Sequence, residues 1–173
     1  MARVEQLDLQ ASVPVKLDLH LTVDGSNFDD VGDFHRKFDL PSVPAGGGGA
    51  VPTHVEGFDE SLYQFRLKFL KEELRELERG WRAGDLPQVA DALLDLVYVA
   101  MGTAQLLGLP WQELWDEVQR ANMSKVRAST ADESARATGR GHASDVLKPP
   151  NFVPPDIAGI LMHRGFDLVW EVE

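Results

Sequence analysis

The chain contains no cysteine, so disulfide bridges, thiolate metal ligands and cysteine nucleophiles are all excluded. Basic residues are also scarce: 17 Lys and Arg stand against 28 Asp and Glu, which gives a net charge of -11. Proteins that grip nucleic acid through its phosphates need a basic surface, so we expect no nucleic-acid partner. The same charge is compatible with an enzyme that holds a phosphate through a divalent cation, because such sites need carboxylates.

The sequence also lacks the features of membrane and secreted proteins. No run approaches about 20 consecutive apolar residues. The first residues, MARVEQLDLQASV, show no basic region followed by an apolar one. We therefore expect no membrane partner and a cytoplasmic location. The P-loop, GxGxxG and GxSxG motifs are absent as well, so the common nucleotide-binding and serine-hydrolase sites are not indicated.

Hydrophobic periodicity predicts a mainly α fold with short strands at the two ends. Residues 13–23, VPVKLDLHLTV, alternate strictly, and the last residues, GFDLVWEVE, alternate more loosely, so each is predicted as a strand. We expect Gly80 to end the second helix, and the third helix, apolar almost all round, to be the most buried. The helices are predicted at 28–38, 60–79, 86–107, 110–122 and 157–162.

These elements divide the chain into four parts. An N-terminal strand extension covers 1–26, a helical bundle core covers 27–126, and a C-terminal segment with a short helix and strand covers 148–173. Between the last two, residues 127–147 are polar and nearly free of large apolar side chains. Such a segment cannot bury itself, so we predict a mobile polar loop that acts as a lid.

Two acidic groups on neighbouring predicted helices are the strongest chemical signal. Glu72, Glu73 and Glu76 are three and four residues apart, and Asp91 and Asp95 are four apart, so each group shares a helix face. The connection between the two helices is short, which makes them antiparallel, and residues 73 and 95 lie at similar distances from it. Carboxylates that meet across this interface repel one another, so they favour a bound cation. Oxygen ligands of this kind suit Mg²⁺ or Mn²⁺.

Each signal also has a simpler interpretation. A charge run such as KEELRELER is typical of a solvated helix face, and Asp95 alone could be a buried capping residue. Arg120, Asn122 and Lys125 follow the fourth helix and could contact phosphate or base, or they could mark an ordinary helix C-terminus. Lys148, before two prolines, is either a phosphate contact or a solvated lysine.

Three motifs, EELRE, DALLDLVYVAMGTAQLLGL and DEVQRANMSKV, occur in this order. They resemble the MazG-like all-α nucleoside triphosphate pyrophosphohydrolases, including phage-type members, over about residues 28–160. The resemblance implies a helical bundle assembled by oligomerisation as a homodimer or tetramer. It also implies two or more Mg²⁺ or Mn²⁺ ions per site and hydrolysis of a (d)NTP to (d)NMP and pyrophosphate. Carried over, Glu73, Glu76 and Asp95 match metal ligands, and Glu72 matches an acidic residue that binds metal or orients water. Glu72 and Glu73 are then the catalytic candidates.

The sequence departs from the family at one position. The family pairs EExxE with ExxD on the next helix, but the Glu of ExxD falls on Ala92 here. Asp91 could replace it as a metal ligand, with a shorter arm and a rotation of about 100° around the helix axis. Asn122 and Lys125 match nucleotide contacts of the family, and Lys148 resembles a phosphate contact from the tail.

Three functions therefore remain open. The first is the metal-dependent pyrophosphohydrolase. Because phage-type members include the MazZ type, which makes dGMP from dGTP, a purine substrate such as dGTP or GTP is favoured. The location would then be the host cytoplasm if the source is viral. The second is a catalytically silent helical interaction module, which the departure at Ala92 favours. The third is the related phosphoribosyl-ATP pyrophosphohydrolase of histidine synthesis.

Overall fold

A computed structural model describes residues 25–42 and 59–168, and this part of the chain is mainly helical, as predicted. The predicted strand at 13–23 lies outside the described residues, as do residues 169–173 of the C-terminal one, and residues 166–168 form no strand. The elements in chain order are α1 (Asn27–Lys37), α2 (Glu60–Ala83), α3 (Leu86–Leu106), α4 (Trp111–Met123), β1 (Val126–Arg127), α5 (Ala131–Thr138), β2 (Val146–Leu147) and α6 (Ile157–His163).

The long helices begin at side-chain caps. The Asp59 carboxylate accepts a hydrogen bond from the Leu62 amide at 2.8 Å, and α2 follows directly. The Asp85 carboxylate accepts from the Gln88 amide at 3.1 Å at the start of α3. Each cap satisfies an amide that has no partner inside its helix.

The predicted end of α2 at Gly80 is wrong, because the helix continues through Gly80 to Ala83. Gly84 ends the helix instead, with a φ of 67° in the left-handed region that favours glycine. Gly80 has a different purpose. A Cβ atom there would lie 3.0 Å from the backbone nitrogen of Val89, so the missing side chain lets the first turn of α3 pack closely against α2.

Helices α2 and α3 form an antiparallel pair. Near the end away from the turn, the Arg66 guanidinium donates to the Thr103 hydroxyl at 3.0 Å and to the Val99 carbonyl at 2.6 Å. Because Gly80 lies beside Val89 near the turn, the two contacts fix the register along the whole pair. That register places the middle of α2 opposite the middle of α3, where the acidic residues lie.

Helix α1 packs on α3 and also contacts α4. The Phe34 and Tyr98 rings meet edge to face with centroids 5.5 Å apart, and the Gln105 amide donates to the Phe28 carbonyl at 2.8 Å. The Phe28 ring stacks on Trp111 of α4 at 5.4 Å. These contacts cover one side of α3 and leave another side open.

Helix α3 has five buried residues, more than any other described helix, as expected, but one of its faces is open in the single chain. Its side chains Leu93, Leu94, Val97 and Tyr98 form an apolar face that is 39–71% exposed. By length and composition alone, α3 is apolar enough to cross a membrane, and 28% of its most apolar 18-residue stretch is buried. The core helix of a soluble protein meets the same length and composition criterion. The short helices α1 and α4 are too few to cover α3 on all sides.

Residues 127–147 differ from the predicted loop. They contain α5, and β1 pairs with β2 in an antiparallel sheet that places Val126 beside Leu147. The Asp145 carboxylate accepts from the hydroxyls of Ser134 and Thr138, both at 2.7 Å. Composition misses this structure because its few buried apolar side chains, Ala128 and Leu147, are supplemented by small polar side chains that bond to one another. The role of the segment as a lid stays a prediction.

We expect Asp145→Asn to loosen α5 at neutral pH. Hydrogen bonds from Ser134 and Thr138 hold the pKa of Asp145 at about 2, below its ordinary value of 3.8. Because the pKa is depressed in the folded chain, the carboxylate stabilises the fold above about pH 4, and the contribution is lost as pH falls towards 2. Amide hydrogen exchange of α5 at pH 7 should be faster in the variant than in the native chain.

The matched control for this prediction is Asp132→Asn, which removes an exposed carboxylate in the first turn of α5 and should speed exchange much less than Asp145→Asn. In addition, acid should loosen α5 between about pH 4 and pH 2 in the native chain and much less in Asp145→Asn. Equal exchange rates for the native chain and Asp145→Asn at pH 7 would contradict the proposed role of Asp145.

Candidate active site

The centre of the candidate site is a buried glutamate on α2. Glu73 is 8% exposed, and the register of the helix pair places it opposite Asp95 of α3. Burial raises the pKa of the Glu73 carboxyl, and the negative charges of Asp95, Glu76, Glu72 and Asp91 raise it further, in that order. The structure therefore brings all five predicted ligands into one electrostatic neighbourhood.

The carboxylate of Glu73 has no internal partner to compensate for its burial. Neither a hydrogen bond nor an ion pair joins it to another residue in 25–42 or 59–168. Among its acidic neighbours, Glu76 is held by Arg79 at 2.7 Å, whereas Glu72, Asp91 and Asp95 are exposed on their helices. A buried carboxylate surrounded only by other carboxylates is costly unless a cation balances the charge.

The five carboxylates do not form a coordination sphere in this structure. Across the described ranges, no group of three or more His, Cys, Asp or Glu side chains stands close enough together to hold a metal ion. The donor chemistry nevertheless fits Mg²⁺ or Mn²⁺, because every group is a carboxylate and hard divalent cations take oxygen ligands. The carboxylates of Glu72, Asp91 and Asp95 are exposed, so these side chains can adopt other staggered rotamers.

The residue at which the sequence departs from the family motif is buried. Ala92, where the family has Glu, is 2% exposed. Asp91 is exposed one position earlier, and it raises the pKa of Glu73 less than the other three carboxylates do. Asp91 is thus the most peripheral of the five predicted ligands.

Arg120, a predicted substrate contact, is engaged elsewhere. Its guanidinium donates two hydrogen bonds to Glu117, at 2.8 and 2.7 Å, and a third to the Pro154 carbonyl at 3.2 Å. Glu117 also accepts from the Asp156 amide at 2.9 Å, and these bonds lower its pKa to about 2. Arg120 therefore joins α4 to the segment before α6, and its role in binding substrate stays a prediction.

Two predicted phosphate contacts do come together. Lys125, after α4, and Lys148, after β2, line one cavity of about 430 Å³. Lys148 is also placed over the Phe152 ring, with its Nζ 5.3 Å from the centroid. Asn122 is exposed near the end of α4 and does not line this cavity. The lining residues are Lys125, Ala137, Thr138, Arg140, Val146, Leu147 and Lys148.

The third cation of this cavity, Arg140, is absent from the sequence-based candidates. The available signal is the tripeptide Gly139-Arg140-Gly141, in which the glycines have φ values of 77° and 65°. Gly139 is the left-handed C-cap that ends α5, and Gly141 allows a second sharp turn directly after Arg140.

Comparison with known proteins identifies a family match over the segment that contains α2 and α3. Residues 48–122 match the phosphoribosyl-ATP pyrophosphohydrolase family. The predicted resemblance to the MazG-like all-α pyrophosphohydrolase superfamily is confirmed over this segment. It contains the MazG-like α2–α3 pair with all five acidic candidates, whereas Lys125, Arg140 and Lys148 lie beyond it.

An uncharacterized protein of Acanthamoeba polyphaga mimivirus is also similar to this chain. The two are 33% identical over 86 residues, which cover 49% of this chain and 32% of the viral protein. The chain therefore spans about a third of the length of that relative. The comparison therefore gives this chain a relative of viral origin.

Proposed function

We propose that the chain is a divalent-metal-dependent pyrophosphohydrolase that converts a (d)NTP into a (d)NMP and pyrophosphate. The observation that carries the proposal is Glu73, a buried carboxylate that faces Asp95 and has four acidic neighbours. The match of residues 48–122 to a pyrophosphohydrolase family supports the reaction class. We place the enzyme in the cytoplasm, where its substrates are abundant.

The metal ligands in this proposal are Glu73, Glu76 and Asp95, with Glu72 and Asp91 at the edge of the site. Their charge favours two or more Mg²⁺ or Mn²⁺ ions. When bound, such ions neutralise charge on phosphate oxygens and lower the pKa of a bound water. The carboxylates hold the position of the ions, and Glu72 or Glu73 accepts the proton of the attacking water.

Water attacks the α-phosphorus directly. The chain has no cysteine, and no Ser/His/Asp set stands at a recognisable motif, so no side-chain nucleophile is indicated. Lys125 and Lys148 lie in one cavity and would balance the charge that builds up on the departing pyrophosphate. The reaction then needs only positioned carboxylates, cations and water.

A purine triphosphate such as dGTP or GTP is the favoured substrate, because the chain resembles phage-type members and is also similar to a protein of viral origin. The family match over residues 48–122 favours phosphoribosyl-ATP as a second candidate. The test is a panel of NTPs, dNTPs and phosphoribosyl-ATP with Mg²⁺, with Mn²⁺ and with EDTA. Products are separated by anion exchange.

We expect pyrophosphate from at least one triphosphate, and no turnover in EDTA. Release of pyrophosphate from phosphoribosyl-ATP alone would favour the second candidate. No pyrophosphate from any substrate, with no rise in melting temperature in Mg²⁺ or Mn²⁺, would favour the catalytically silent module. A cation that binds the native state must stabilise it.

We also propose that the enzyme is a homo-oligomer, a dimer or a tetramer, assembled through the apolar face of α3. Leu94 in this face is 71% exposed and Leu93 is 48% exposed in the single chain. Contiguous apolar surface of this kind marks an interaction site in soluble proteins. A second copy would supply the cover that α1 and α4 do not provide.

A further inference from the structure

One arginine of α2 is held firmly against α3. The Arg66 guanidinium donates from Nε to the Thr103 hydroxyl at 3.0 Å and from Nη2 to the Val99 carbonyl at 2.6 Å. It also lies over the Phe69 ring, with its Cζ 5.7 Å from the centroid. Gly102 lets it approach the backbone of α3, because a Cβ atom there would lie 2.9 Å from Nη2. The plane of the guanidinium is therefore fixed from several sides.

Part of this guanidinium has no partner. Within 25–42 and 59–168, no group accepts a hydrogen bond from Nη1, and no carboxylate forms an ion pair with Arg66. Burial lowers the pKa of Arg66, and no acidic group among the described residues opposes this effect. A partly buried cation whose acceptors are all neutral is costly to keep. The two N–H donors of Nη1 thus remain for a ligand.

Arg66 lies on the same helix interface as the acidic site. It precedes Glu73 by seven residues, which is two helical turns and about 10 Å along α2. Seven residues also return the chain to nearly the same helix face, since two turns take about 7.2 residues. On α3, its acceptor Val99 follows Asp95 by four residues, about one turn. The separation is of the order of the distance between the phosphates and the base of a nucleotide.

The open donors of Arg66 distinguish nucleobases by the polarity of their hydrogen bonds. A guanidinium has donors and no acceptor. Guanine presents two acceptors, O6 and N7, and arginine donates to both in the commonest specific contact of proteins with guanine. Adenine presents the N6 amino group, itself a donor, in place of O6. In the proposed function the carboxylates hold the phosphates through metal, so the base is the part of the substrate that reaches Arg66.

We propose that Arg66 contacts the base of the substrate and selects guanine over adenine, while Thr103, Val99 and Gly102 hold its guanidinium in place. The inference rests on the proposed function and adds to it a residue that determines base specificity. The triphosphate then lies beside Glu73, and the base lies two turns away along α2.

The first test compares kcat/KM for dGTP and dATP. The native chain should prefer dGTP by about tenfold to 100-fold, the discrimination expected of one arginine contact with guanine. Arg66→Met should bring this ratio close to one, mainly by raising KM for dGTP. Arg66→Lys should keep part of the preference, because a single donor group remains. The matched control is Arg75→Met, which removes an exposed arginine of α2 and should leave the ratio unchanged.

A second measurement separates the base contact from a purely structural role. If Arg66 only joined α2 to α3, Arg66→Met would weaken Mn²⁺ binding and slow dGTP and dATP to the same extent. Calorimetric titration with Mn²⁺ should instead give the native affinity. If Arg66→Met does not fold, Thr103→Val provides the test, because it keeps the side-chain shape and removes one acceptor of the guanidinium. It should lower the preference for dGTP about threefold or more.

Binding of the monophosphates gives a readout that does not need turnover. NMR titrations in EDTA should show that dGMP binds more tightly than dAMP, and that Arg66→Met removes the difference. This result in a protein that hydrolyses no triphosphate would support the base contact and overturn the proposed function. Hydrolysis with no preference for dGTP over dATP, or with a preference that persists in Arg66→Met, would overturn the inference and leave the function standing. Absence of both hydrolysis and Arg66-dependent dGMP binding would overturn both.

Discussion

Replacing Glu73 with glutamine, or Asp95 with asparagine, should lower turnover of the preferred triphosphate by at least about 100-fold. Glu73 is buried at the α2–α3 interface, and Asp95 raises its pKa more than any other carboxylate does. Each substitution removes a metal ligand and leaves a neutral side chain of nearly the same shape. Initial rates with Mg²⁺ measure the loss of turnover, and calorimetric titration with Mn²⁺ measures the loss of metal binding.

The fold should survive both substitutions. Removing one of several repelling carboxylates should keep or raise the melting temperature in EDTA, because Glu73 has no internal partner to lose. Glu78→Gln is the matched control on α2, since Glu78 pairs with Arg82 at 3.5 Å on an exposed surface and should be dispensable. Full activity in both Glu73→Gln and Asp95→Asn would exclude the proposed metal site.

Val97→Asp should convert the oligomer into monomers. Val97 is 49% exposed in the single chain and lies in the apolar face of α3. In the proposed assembly the new carboxylate would be buried without a partner, at a cost of several kcal/mol, which is enough to dissociate an interface at micromolar concentration. Light scattering coupled to size exclusion, across a range of concentrations, measures the mass directly.

The control for this experiment is Val153→Asp, the same change at a valine that is 61% exposed outside the α3 face. It should leave the mass unchanged. The melting temperature should depend on concentration in the native chain and lose that dependence in Val97→Asp. A native chain that is monomeric at all concentrations, or a Val97→Asp variant with native mass, would show that the exposed face of α3 is not an assembly contact.

The helix pair and its acidic register could be predicted from the sequence because local rules determine them. Asp59 and Asp85 start the helices, and the short connection makes them antiparallel, so counting from the turn places Glu73 near Asp95. Gly80 could not be interpreted in the same way. Glycine ends helices and also lets them approach each other, and only the position of Val89 shows which purpose applies.

The cavity lined by Lys125, Arg140 and Lys148 depends on contacts between distant residues, and a single sequence does not reveal them. Asp145 gathers Ser134, Thr138 and Arg140 into one network, although each residue alone is typical of a solvated loop. Composition indicates how much apolar area a segment can bury and says nothing about such polar networks. For that reason the sequence indicates Lys148 as a candidate phosphate contact, whereas only the structure shows that Arg140 lines the same cavity.

Hydrolysis in ¹⁸O-labelled water shows directly whether water attacks the α-phosphorus, because the attacked phosphorus keeps the oxygen of the solvent. The preferred triphosphate is incubated with Mg²⁺, and the products are weighed by mass spectrometry. Attack at the α-phosphorus places one ¹⁸O atom in the nucleoside monophosphate and none in pyrophosphate. Label in pyrophosphate would indicate attack at the β-phosphorus, and label in inorganic phosphate with accumulation of a nucleoside diphosphate would indicate attack at the γ-phosphorus. Either of these results would contradict the proposed reaction even if the carboxylates bind metal.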